Sequence, residues 1–133
     1  MTDTKADKIK VLVIDDDDLV RDTLQAILEN GGFEVELANG GLELERRLET
    51  FVPDVLITDI FMPRMDGIEV IREVRKKFPD IKIIAMSGTG HVENSEGKPM
   101  MLEMAKGIGA TASIQKPFRP QEITDIVTEL AGT

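Results

Sequence analysis

The 133-residue chain contains no cysteine, no tryptophan and no tyrosine, and a single histidine, His91. Without cysteine there is no disulfide, no thiolate metal site and no thiol redox switch, which suits a reducing compartment. The aromatic residues are five phenylalanines, too few to stack nucleobases or to sandwich a flavin ring. One imidazole on a polar stretch, with no matching ligands, makes no transition-metal site, and His91 reads as a solvated side chain. No run approaches the ~18 apolar residues of a membrane helix, and Met1 to Lys8 lack the apolar centre of a signal peptide. A soluble, cytoplasmic protein without membrane association is expected. Positive charge is also scarce: 16 Lys and Arg stand against 25 Asp and Glu, a formal net charge of -9. Such a chain has no basic surplus with which to displace counterions from phosphate, so direct nucleic-acid binding is not expected.

What is present is a regular alternation. Strand-like runs near 9–14, 33–38, 54–59, 81–86 and 112–115 are separated by helical patterns. Val20, Leu24, Ile27 and Leu28 form one stripe at helical spacing. Ile71, Val74 and Phe78 form a second, and Ile123, Ile126, Val127 and Leu130 a third. Gly31-Gly32, Gly40-Gly41 and Phe78-Pro79 mark breaks between elements. Repeated β-α units with right-handed crossovers predict an α/β fold: a five-stranded parallel doubly wound sheet in the flavodoxin-like order 2-1-3-4-5, with five helices. Residues 1–8 read as a flexible tail and 9–131 as one domain. The polar, glycine-containing stretch 88–99 interrupts the rhythm and reads as a long loop, with the fourth helix beginning near Met100. Met100, Met101, Leu102 and Met104 cannot all face one way, so at least one is expected at an adaptable partner surface.

The polar residues that close the strands carry the chemistry. Val11 to Ile14 run into Asp15-Asp16-Asp17-Asp18, Val55 to Thr58 into Asp59, Ile81 to Met86 into Ser87, and Ala112 to Gln115 into Lys116. In an open parallel sheet the strands' carboxyl ends form the ligand-binding edge, so these residues converge. Clustered carboxylates repel, and Mg²⁺ relieves that repulsion with a few oxygen ligands and retained waters. Asp15, Asp16 and Asp59, with the main-chain carbonyl of Phe61, are the candidate metal ligands. An aspartate can accept a phosphoryl group covalently, and phosphoryl transfer needs chiefly positioning and charge neutralisation. Asp59 is then the nucleophile, Lys116 an electrostatic clamp and Ser87 a hydrogen-bond donor to the group. Singly, each has a plainer reading. The four acids could simply open a helix, Asp66-Gly67 could be turn and cap chemistry, Ser87 a local cap and Lys116 an exposed lysine before proline.

Together, Asp15-Asp16, Asp59 with Met62-Pro63-Arg64-Met65-Asp66-Gly67, Ser87, and Gly109-Ala110 leading to Lys116-Pro117-Phe118 resemble the response-regulator receiver domain of two-component signalling, of the chemotaxis-type single-domain kind. The resemblance runs from about Lys8 to Leu130. It implies Mg²⁺-dependent transfer of a phosphoryl group from a histidine kinase or histidine phosphotransfer protein onto Asp59, signalling through a downstream protein target, and a cis Lys116–Pro117 bond. It implies no enzymatic turnover beyond self-phosphorylation from a donor and autodephosphorylation.

The chain also departs from the family. Ser113 stands where an aromatic switch residue is usual, three positions before the lysine. The segment between Ser87 and Lys116 is several residues longer than usual. Its excess falls in 88–99, read either as a tolerated surface insertion or as a segment that orders on phosphorylation. Phe61 and Thr89 occupy positions that border the path of attacking water in the family, and bulky Phe61 is expected to slow phosphoryl loss. Two other functions remain open on the sequence. One is a pseudo-receiver that binds partners without phosphorylation. The other is a haloacid-dehalogenase-like phosphohydrolase, suggested by Asp15-Asp16-Asp17 read as D-x-D after a strand.

Overall fold

The computed structural model describes residues 8–62, 65–88, 106–107 and 109–132, without the side chains of residues 61, 62 and 65–67. The elements follow in the order β1 (Lys10–Ile14), α1 (Asp18–Asn30), β2 (Glu34–Ala38), α2 (Gly41–Thr50), β3 (Val55–Asp59), β4 (Phe61–Met62), β5 (Met65–Asp66), α3 (Gly67–Lys77), β6 (Lys82–Ser87), β7 (Ala112–Gln115) and α4 (Pro120–Ala131). Five strands pair in parallel in the order β2-β1-β3-β6-β7. Counting the strands of this sheet alone, that is the expected 2-1-3-4-5. Four helices are present among the described residues. The expected fourth of five, including Met100 to Met104, lies outside them apart from the helical pair 106–107, as do the tail before Lys8 and loop residues 89–99 with His91.

The strands are apolar on both faces because both faces are covered. Leu12, Ile14, Leu56, Ile83 and Ala85 point to one side, where Leu44 of α2 and Ile71 and Val74 of α3 complete the core. The alternate residues Val11, Val13, Val55, Ile57, Ile84 and Met86 point to the other, against Leu24 and Leu28 of α1 and Ile123, Val127 and Leu130 of α4. All three expected helical stripes therefore face the sheet. Truncating a fully buried residue such as Leu24 to alanine removes about 2–5 kcal/mol. In α2, by contrast, only Leu44 is buried while Leu42 is 79% exposed, which explains why its sequence shows no clean stripe.

Two turn features shape the sheet's carboxyl edge. The chain beyond Asp59 forms a small antiparallel hairpin, β4 with β5, pairing Phe61 with Asp66 and Met62 with Met65. The sequence suggested only a tight turn there. Before β7, Gly109 takes φ +132°, a conformation in which any side chain is strained, and a Cβ there would lie 3.1 Å from the Arg75 side chain.

Candidate functional site

The parallel register brings the strand ends to one edge. Asp59 is the last residue of β3 and pairs with Met86 of β6, while Ser87 pairs with Gln115 of β7, immediately before Lys116. The Ile60 N–H donates to the Met86 carbonyl at 3.0 Å and the Lys116 N–H to the Ser87 carbonyl at 2.7 Å. These main-chain bonds carry the pairing just past the strands, so the side chains that follow stay in place. The Lys116–Pro117 peptide bond is cis, as the family resemblance implied.

Three of the expected site residues meet directly. Lys116 Nζ lies 2.5 Å from Asp59 Oδ2 and 3.2 Å from Asp15 Oδ2. Asp15 and Asp59 are buried, and the lysine side chain is 21% exposed. The ammonium thus bridges two carboxylates at the end of a low-dielectric core, where charge pairing is stronger than in water. Burial alone works against its charge, but the hydrogen bond and charge of Asp59, joined by those of Asp15, outweigh this and raise the lysine pKa above its ordinary value. Asp15 is raised to about 6, chiefly because burial penalises its anion and further by the negative charge of Asp59. The Asp17 N–H and Lys116 oppose this without cancelling it.

The four-acid run divides its work. Asp15 faces the site, and its Oδ1 accepts from the Asp17 N–H at 2.9 Å. Asp17 is the N-cap of α1, accepting from the Leu19 N–H at 2.9 Å, and Asp18 lies in the first helical turn, where negative charge favours the dipole. Asp16 is exposed in the bend between them. The helix-start reading of this run thus holds for Asp17 and Asp18, while Asp15 is the acid turned toward Lys116. Ser87 is fully buried, with its hydroxyl donating to the Gly88 carbonyl at 3.3 Å. Phe61 is placed by its backbone at the start of β4.

Among the described residues, no three His, Cys, Asp or Glu side chains gather closely enough to hold a metal ion by themselves. Asp15 and Asp59 come together through Lys116, and Asp16 does not join them there. Mg²⁺ requires no larger set, because it keeps several waters and is commonly bound through one or two carboxylates. Two buried carboxylates brought to one sheet edge are a donor set suited to that ion.

The comparisons decide the family. The model of the response regulator receiver domain matches residues 11–128. The chain belongs to that family. Response regulator MprA of Mycobacterium ulcerans is 34% identical over 117 residues, 86% of this chain and 47% of the relative, and MprA of Mycobacterium tuberculosis (strain H37Ra) matches at the same identity and coverage. The chain thus spans about half the length of the curated relatives it matches. Among solved structures, a receiver domain protein from Clostridium thermocellum superposes with a TM-score of 0.81 at 28% identity, covering 93% of this chain and 94% of that one. Chemotaxis protein CheY4 of Vibrio cholerae does so with 0.81 at 29% identity, covering 92% and 98%. This receiver chain shares their CheY-like fold. Among its described residues, no helix is long and apolar enough to cross a membrane.

What the sequence did not disclose are the contacts made through main-chain carbonyls. Arg21 donates to the Asp15 carbonyl at 2.6 Å. Arg75 donates to the carbonyls of Gly109, Pro79 and Ile81 at 2.7, 2.6 and 2.7 Å. No side-chain motif marks such acceptors.

Proposed function

We propose that this receiver acts as a cytoplasmic response-regulator module that takes a phosphoryl group onto Asp59 from the phosphohistidine of a sensor kinase or phosphotransfer protein, then signals through a downstream protein. The observation that carries this reading is the Lys116 ammonium 2.5 Å from Asp59 and 3.2 Å from Asp15 at the sheet's carboxyl edge. An Asp59 oxygen attacks phosphorus, the P–N bond to the donor imidazole breaks, and that nitrogen leaves with the bonding pair and takes a proton. Lys116, protonated throughout, neutralises charge on the transferring oxygens. Ser87, buried at the end of the neighbouring strand, donates its hydroxyl to the phosphoryl group after giving up the Gly88 carbonyl. Asp15 and Asp16, with Asp59 and the Phe61 carbonyl, would hold Mg²⁺, which supplies charge neutralisation between acids and phosphate when bound.

Phosphorylation replaces one carboxylate charge with the larger charge of a phosphoryl group and its acceptor oxygens. Lys116 is then drawn from two acids toward one phosphoryl group, and this redistribution is the change that the sheet edge passes to a partner. Ser113, paired beside Ala85 at the usual aromatic position, leaves the signal to the backbone after Ser87 rather than to a rotating ring.

The test is incubation with phosphoramidate, whose P–N bond imitates phosphohistidine, followed by borohydride reduction and peptide mapping. Conversion of Asp59 to homoserine is expected. An unmodified Asp59 in folded protein would instead support the pseudo-receiver reading.

A further inference from the structure

Arg21 stands where helix energetics do not favour it. It lies in the first turn of α1, with its N–H donating to the Asp17 carbonyl at 3.1 Å. A cation at a helix N-terminus opposes the dipole, yet its side chain is only 14% exposed. Long helical side chains lean toward the helix N-terminus, and here that brings the guanidinium back over the β1–α1 loop. Nη1 donates to the Asp15 carbonyl at 2.6 Å, and Nη2 pairs with the Asp18 carboxylate. Asp15 is thereby fixed on four sides: its N–H by the Ala38 carbonyl at 3.2 Å, its two side-chain oxygens by the Asp17 N–H and Lys116, and its carbonyl by Arg21.

We propose that Arg21 is a positioning residue for the acid loop, its two-pronged guanidinium holding the Asp15 main chain and the Asp18 carboxylate so that the Asp15 side chain is presented to a divalent cation. The inference rests on the Mg²⁺ reading above and deepens it. The alternative is an ordinary i,i+3 ion pair with Asp18, which contributes little. A single-pronged lysine can replace that pair but not the fork.

The charge and positioning roles predict opposite results. If Arg21 acted only through charge, removing it from beside four acids would tighten cation binding. If it positions the loop, both Arg21→Gln and Arg21→Lys weaken Mg²⁺ binding, by about tenfold, as loss of an outer-shell partner does. The experiment combines Mg²⁺ calorimetry with amide exchange by NMR on the metal-free protein, using wild type and both variants. Asp17 amide exchange is expected to speed up about tenfold in both variants, because its acceptor is the Asp15 side chain, with Val13 in β1 unchanged. Unchanged exchange at Asp17, or wild-type affinity in Arg21→Lys with tighter binding in Arg21→Gln, overturns the inference. A wild type that binds no Mg²⁺ defeats the metal reading itself, and the exchange result still decides whether Arg21 holds the loop.

Discussion

Lys116 and Asp59, separated by 57 residues in sequence, meet at 2.5 Å with the carboxylate side chain 8% exposed and the lysine 21% exposed. Two strand ends, β3 and β7, lie on either side of β6, and the lysine spans that gap to reach both Asp59 and Asp15. Removing one partner of a buried pair strands the other.

Lys116→Met keeps most of the aliphatic stem and deletes the charge. In EDTA it is expected to lower stability by about 3 kcal/mol. Adding Asp59→Asn should recover most of that loss, since one of the stranded charges is gone. Denaturant melts of the two single variants and the double close the cycle; strictly additive losses would show that the two side chains are not energetically coupled.

Asp15 gives a pH signature. Its acid form persists to about pH 6 in the folded protein but only to about 4 in an unfolded chain. Between those limits the folded state holds more protons than the unfolded one, so the stability this group contributes is present at low pH and is lost as pH rises through 6. Asp15→Asn removes the ionisation. Without metal, the variant is expected to melt higher than wild type at pH 7.5, with the gap narrowing steadily from pH 6 to pH 4. A gap that stays constant over that range would contradict the raised value. Mg²⁺ should shrink the variant's advantage by stabilising only the wild type's charged site.

Gly109→Ala tests the clasp before β7. The residue would have to adopt φ +132° and place its Cβ 3.1 Å from Arg75, which is expected to cost about 1–3 kcal/mol. In an Arg75→Ala background, which removes the Cγ and Nε that the new Cβ would meet, the steric part should relax and the conformational part remain, so the second substitution is less damaging there. Equal losses in both backgrounds, measured by urea denaturation, would leave Arg75 out of the account.

The fold was legible because the polar residues sit at strand ends. Asp15, Asp59 and Ser87 each close a run that is largely apolar at consecutive positions, the mark of a strand covered on both faces, whereas Lys116 follows the mixed run Ala112 to Gln115 of an edge strand; the helical stripes between the runs impose parallel crossovers. Boundaries moved by about one residue: Ser87 is the last residue of β6 rather than the one after it. The β4–β5 hairpin stayed hidden because two-residue strands have no periodicity to read. The division of labour among Asp15, Asp16, Asp17 and Asp18 was equally hidden, since four identical side chains carry no sign of which one caps, which is exposed and which is buried. Arg21 and Arg75 were missed for a different reason: their acceptors are main-chain carbonyls, which every residue has.

The central claim is that Asp59 is a phosphoryl acceptor served by Lys116 and by Mg²⁺ held at the neighbouring acids. Its most direct test is intact mass after incubation with acetyl phosphate, in Mg²⁺ or in EDTA, for wild type, Asp59→Asn and Lys116→Met. A single phosphoryl adduct that requires Mg²⁺, is absent in Asp59→Asn and is strongly reduced in Lys116→Met is the predicted result. No adduct on folded wild-type protein, or one that survives both Asp59→Asn and EDTA, would contradict the account.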